Sequence, residues 1–174
     1  MRYLILPAFV ALLASGPAMA QVWIEFVDPI RGFSINFPHE PVSEEIEYMS
    51  YYERIVPARI YRAEQGTGRY SIAVVSFSGD PTDSLTAVAH AAKAIRDKGE
   101  VLYDAFHDLD GIPGIVLSVR EPGGRLIHAS VYFVDQRLYI SEGSVAAGNP
   151  APAQFQQSIS IIDTEGNRIV LDDF

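Results

Sequence analysis

The chain has no cysteine. That excludes disulfides, thiol nucleophiles, iron–sulfur clusters and cysteine-ligated zinc, and leaves the core as the main source of stability. Lysine is almost missing too: arginine outnumbers it 11 to 2, a bias that suggests a GC-rich bacterial genome. Basic residues of both kinds are outnumbered by acidic ones, 13 against 22, for a net charge of −9. Nucleic acid is therefore not expected as a partner, because binding it takes a basic face that displaces counterions. No Gly-x-Ser-x-Gly elbow occurs, and no phosphate-cradling glycine loop leads into a helix. No two of the four histidines lie two, three or four positions apart, which argues against a dedicated zinc site. Beyond the N-terminus no apolar run approaches the length of about 20 residues that spans a bilayer as a helix.

The first 20 residues are read as a leader. Arg2 supplies a short positive region, Tyr3 to Leu13 is apolar, Pro17 breaks the run, and Ala18-Met19-Ala20 places small residues at the two positions that signal peptidase reads. Cleavage after Ala20 leaves residues 21–174, with a net charge of −10 once Arg2 is lost. These 154 residues suffice for one domain that buries about 70% of its unfolded surface. The expected location is periplasmic or secreted.

Strand patterns dominate. Val22–Val27 is apolar-rich, and Phe33, Ile35 and Phe37 alternate with Ser34 and Asn36 until Pro38 stops the run. The acidic stretch 40–47 reads as a solvated edge. Runs 55–64 and 70–77 flank a glycine loop and predict a hairpin. A helix follows, capped by Thr82 or Asp83 and ended by Gly99, with Leu85, Val88, Ala92 and Ile95 as its apolar stripe and His90 on the solvent side. Three more strands are expected at 100–109, 115–121 and 125–134. Gly111-Ile112-Pro113-Gly114 is read as the corner between the first two. Gly123-Gly124 is read as a two-residue hairpin that would set His128 opposite Val119. Asp135-Gln136 turns into a further strand, Leu138–Ser144. Asn149-Pro150 predicts the start of a short helix over 151–158, with Phe155 and Ile159 facing inward. This order gives an α+β fold with a central antiparallel β-sheet flanked by helices.

Gly32-Phe-Ser-Ile-Asn-Phe-Pro38, Gly111-Ile-Pro-Gly114, Tyr132-Phe-Val-Asp-Gln-Arg-Leu-Tyr139 and Pro-Ala-Gln-Phe-Gln-Gln-Ser at 152–158 resemble stretches of short exported bacterial domains of the PsbP/Mog1-like superfamily. The resemblance covers most of residues 21–174. It implies an αβα sandwich with an antiparallel sheet. It implies little about function: members of the superfamily include a photosystem II accessory subunit and a GTPase-binding protein, and most exported bacterial relatives lack an assigned activity. The matching positions are structural, and no functional residue carries over.

FHDLDGIPG (106–114) carries three ionisable groups in four positions. Aligned as a calcium loop with Gly111 at its sixth position, it fails at the first and twelfth, where Phe106 and Leu117 stand in place of oxygen ligands. Strand parity puts His107 on the face opposite Asp104 and Asp108, where a hydroxyl or carbonyl is its expected partner and half-burial its expected state. Asp104, Asp108 and Asp110 form a candidate weak Ca²⁺ or Mn²⁺ set; no other cofactor is expected. Tyr48, Tyr51 and Tyr52 lie in a polar segment and are candidates for anchoring a partner protein. No catalytic residue is assigned. The reading is an exported, non-enzymatic binding or accessory domain whose partner is another protein. A hydrolase with a spatially assembled Ser/His/carboxylate site, or a weak metal-binding protein, are the alternatives.

Overall fold

The computed structural model describes residues 23–79 and 82–171. The reading placed on residues 1–20 lies outside these. Among the described residues the fold is α+β, with antiparallel sheets and two helices.

A small sheet pairs β1 (Ile24–Asp28), β2 (Phe33–Phe37) and β10 (Ser160–Ile161), in the order β1-β2-β10. A seven-stranded sheet holds β3 (Val42–Met49), β4 (Ile55–Gln65), β5 (Gly68–Ser76), β6 (Glu100–Leu109), β7 (Ile112–Arg120), β8 (Leu126–Val134) and β9 (Arg137–Val145). Its order is β3-β4-β5-β9-β8-β7-β6, so β3 and β6 form its edges.

Each face of the large sheet has its own core. Helix α1 (Ser84–Arg96) covers one face and buries Ala87, Val88, Ala91, Ala92 and Ile95 against β7, β8 and β9. Asp83 caps it by accepting the Thr86 N–H at 2.8 Å, an interaction that holds the Asp83 carboxyl below its usual range. Leu85 is not part of the buried stripe. It is 71% exposed: the buried stripe keeps Val88, Ala92 and Ile95 and is completed by Ala87 and Ala91.

The small sheet and α2 (Ala153–Gln157) cover the other face, so this layer is mostly strand, with one five-residue helix added. Here Phe26, Phe33, Phe37, Tyr61, Tyr70 and Phe155 meet at ring separations of 5.1–6.1 Å. The helix starts after Pro152 rather than at Asn149-Pro150, and no side chain caps it. Asn149 instead bonds the Ala146 carbonyl in the preceding turn.

Two connections differ from the sequence reading. Gly111-Ile-Pro-Gly114 is not a corner. The turn is Asp110-Gly111, both with positive φ (56° and 83°), and Ile112, Pro113 and Gly114 already pair with Leu109, Asp108 and His107. Two successive left-handed residues make the tight turn whose twist suits a hairpin. The Gly123-Gly124 connection is longer than two residues: Arg120 pairs with Leu126, which leaves five residues in the loop and sets His128 opposite Ser118 instead of Val119.

Candidate functional site

On the face of the large sheet that carries α2, the antiparallel registers line up three rows across the strands. Residues directly opposite share a face. The rows are Tyr103, Ser118, His128 and Gly143; Ala105, Val116, Ser130 and Ser141; and His107, Gly114, Tyr132 and Tyr139. The outer part of these rows extends past the small sheet and forms a cleft of about 360 Å³, roofed on one side by Gln156 and Gln157 of α2. Among the described residues, no Asp, Glu, Lys or Arg lines it.

A chain of hydroxyl groups leads into this cleft from the core. Ser141 and Ser130 are fully buried and 2.6 Å apart, and Tyr132 follows Ser130 on the same face of β8. Burial pushes the Tyr132 phenol up to about 12, so it keeps its proton, and its oxygen is in hydrogen-bond contact with His107 Nδ1 at 2.8 Å. Gly114 makes the bond possible. It sits between the two residues in the row, and Tyr132 lies over it so closely that a Cβ there would come within 2.3 Å of the ring. His107 thus has the hydroxyl partner expected of it, but it is exposed rather than half-buried, because β6 is an edge.

His128 is half-buried, and desolvation lowers its pKa below the ordinary 6.5. Its Nδ1 lies 3.4 Å from Ser118 Oγ, a long contact. Since the unfolded chain binds this proton more readily, His128 contributes stability above the unfolded pKa that is lost as pH falls through about 6.5 and below. His39 acts oppositely: the Glu64 and Glu40 carbonyls raise its pKa. Comparison isolates the effect. In urea titrations, His128→Gln flattens the acid-side decline relative to the parent chain, and an unchanged slope would contradict this account.

The three tyrosines do not act alike. Tyr48 points into the α1 face and is half-buried, with burial raising its phenol to about 12. Tyr51 and Tyr52 stand on the β3–β4 turn, 61% and 46% exposed, edge to face at 5.2 Å. His90 holds the turn against α1. Its Nε2 bonds the Met49 carbonyl at 3.1 Å, and its ring meets both Tyr48 and Tyr51. His90 is therefore half-buried, not on a free solvent face. Tyr51, Thr86, Ala89, His90 and Lys93 line a shallow cleft of about 380 Å³, and Met49 and Ile55 are exposed beside the turn.

The three aspartates are taken up separately. Asp104 accepts two bonds from Arg96 of α1, at 2.6 and 3.1 Å. Asp108 accepts the Gly111 N–H at 2.7 Å, bracing the turn. Asp110 pairs with Arg168 at 2.6 Å. Among the described residues, no group of three His, Asp or Glu side chains converges as a metal site.

The structure superimposes on the solution structure of cyanobacterial PsbP (CyanoP) from Synechocystis sp. PCC 6803 with a TM-score of 0.51, over 86% of this chain and 98% of that one. The chain has a PsbP-like fold. Identity across the match is 15%, so what the PsbP-like likeness establishes is the fold alone. No protein-family model and no curated protein matches the sequence. No described helix is long and apolar enough to cross a membrane.

Proposed function

We propose that this is an exported binding or accessory domain without catalytic activity, and that it docks another protein through the β3–β4 turn. The observation that carries this is the exposed pair Tyr51 and Tyr52, held in place by His90 beside exposed Met49 and Ile55. Tyrosines supply large contact area with few torsions to freeze, and they dominate protein interfaces. A turn pinned to a helix has already lost most of the freedom that binding would remove.

A photo-crosslinking residue at position 52 captures one discrete partner from the exported fraction, and Tyr51→Ala with Tyr52→Ala weakens that complex by about tenfold or more while the melting temperature holds. Crosslinking no stronger than from exposed position 164 would sink the idea. Export itself is tested by the mass of the mature chain, which should begin at Gln21.

A second reading, hydrolysis, has the Ser118–His128 contact behind it. It lacks a carboxylate to orient His128: among the described residues Ser118 is the only hydrogen-bond partner of that imidazole. Turnover of an activated ester that both Ser118→Ala and His128→Gln abolish would favour it over docking.

A further inference from the structure

We propose that His39 is a pH-operated clip, which in its protonated form fastens the start of the edge strand β3 to the end of β4 and opens when the ring loses a proton. Strand β3 begins at Val42, opposite Arg62. The next pairs outward would be Pro41 with Ala63 and Glu40 with Glu64. Pro41 has no N–H to donate, and the ladder stops before it. The His39 side chain takes over from there. Its Nε2 lies 2.9 Å from the Glu64 carbonyl oxygen, and its Nδ1 lies 3.0 Å from the Glu40 carbonyl oxygen.

Both partners of the ring are acceptors only. A neutral imidazole has one N–H and one lone pair, so in either tautomer one of the two contacts sets lone pair against lone pair. Only the imidazolium donates to both oxygens, so the geometry selects the charged ring. The Glu64 carbonyl, and after it the Glu40 carbonyl, hold the pKa of His39 above the ordinary 6.5, and the ring is too exposed for desolvation to reverse this. A folded pKa above the unfolded one gives stability that is complete below about 6.5 and is lost as pH rises through the folded value.

The other charged groups around the ring do not titrate in the same window. Glu40 adjoins His39 in the chain. Glu44 of β3 pairs with Arg62 of β4, and Glu64 of β4 pairs with Arg69 of β5 at 3.6 Å. Glu25 of β1 stands opposite Asn36, three residues before His39. Carboxylates titrate near 4 and arginine above 12, so between about pH 5.5 and 8.5 none of these changes charge. Residues 38–41 join the small sheet to the edge of the large one. Closing the clip therefore ties the exit from β2 to β4, and opening it frees the end of an edge strand, where backbone pairing is least protected. His128, which desolvation favours neutral, responds to pH in the opposite direction.

The test is an NMR titration of the full chain. The imidazole nitrogen shifts of His39 give a midpoint above that of the same residue in the urea-unfolded chain, and above that of His128 in the folded one. Amide exchange, corrected for its intrinsic pH dependence, shows residues 42–45 losing protection by about fivefold as pH rises through the His39 midpoint, the factor that one net hydrogen bond is worth. In His39→Gln, a substitution at an exposed position, that step disappears. The parent chain's own titration needs no variant, so the proposal is testable even if the variant folds poorly. A His39 midpoint at or below its unfolded value, protection at 42–45 that shows no step there, or an equal step in His39→Gln would each overturn the proposal.

Discussion

Phe155→Ala lowers the unfolding free energy by about 3–5 kcal/mol, the range for removing a fully buried aromatic ring. The melting temperature falls by roughly 10 °C in a chain of this size. Phe155 is the buried residue of α2, with no exposed surface, and its ring meets Phe37 at 5.2 Å, Tyr70 at 5.3 Å and Trp23 at 6.4 Å. A five-residue helix without a side-chain cap has no stability of its own. This ring is its main apolar anchor to the sheet, beside the bond from the Asn36 N–H of β2 to Ser158 Oγ at 3.0 Å. Its loss also frees Gln156 and Gln157, so one wall of the cleft should become mobile while the α1 face stays packed. Calorimetry checks the stability, and amide exchange over 153–157 checks the locality. A melting temperature within a degree or two of the parent would show that α2 is held by something else.

Gly114→Ala costs about 1–3 kcal/mol by overpacking. The new methyl would come within 2.3 Å of Tyr132 Cδ1 and 2.4 Å of the Val131 carbonyl oxygen. The second of these is backbone, so the side chain cannot simply swing away. The Tyr132 ring must shift, and the phenol then leaves His107 Nδ1. Two measurements separate this from an ordinary core defect. Denaturant titration gives the lost stability, and the imidazole nitrogen shifts of His107 report loss of the hydroxyl partner. Tyr132→Phe should reproduce the nitrogen shift with a smaller loss of stability. If Gly114→Ala leaves those shifts in place, Tyr132 is not positioned by the glycine.

Much of the strand structure was legible because it is written in local alternation. Phe33-Ser-Ile-Asn-Phe37 reads as a half-buried strand and is β2, ended as expected at Pro38. Leu126-Ile-His-Ala-Ser-Val-Tyr-Phe-Val134 alternates a polar set (His128, Ser130, Tyr132) with an apolar one (Ile127, Ala129, Val131, Phe133), and that is the division between its two faces. This alternation was the available signal for the polar cleft. It names the face but not the neighbours. Those depend on register, and register depends on loops: a five-residue loop at 121–125 instead of a two-residue one moved His128 from Val119 to Ser118. Asp110-Gly111 competed with the glycine–proline corner beside it and formed the turn, because Asp110 accepts a left-handed conformation and Asp108 braces it. That difference converted Gly114 from a corner residue into the gap over which Tyr132 reaches His107.

By itself, the sequence determined the composition-limited facts and the locally coded ones. These are the absence of thiol chemistry, an excess of acidic residues, an antiparallel α+β fold, a helix that starts at Thr82 or Asp83, and the polar side of β8. Such properties depend on residue type and on periods of two or about 3.6, which any stretch of chain displays. Only the tertiary structure decided which strands form the edges, that His90 pins Tyr51 to α1, that the aspartates at 104, 108 and 110 go to three different partners, and that His39 meets the Glu64 carbonyl. Each of these joins residues far apart in the chain or depends on loop length. The free energy that selects among such pairings lies in the packing of the two cores, and no single segment encodes it.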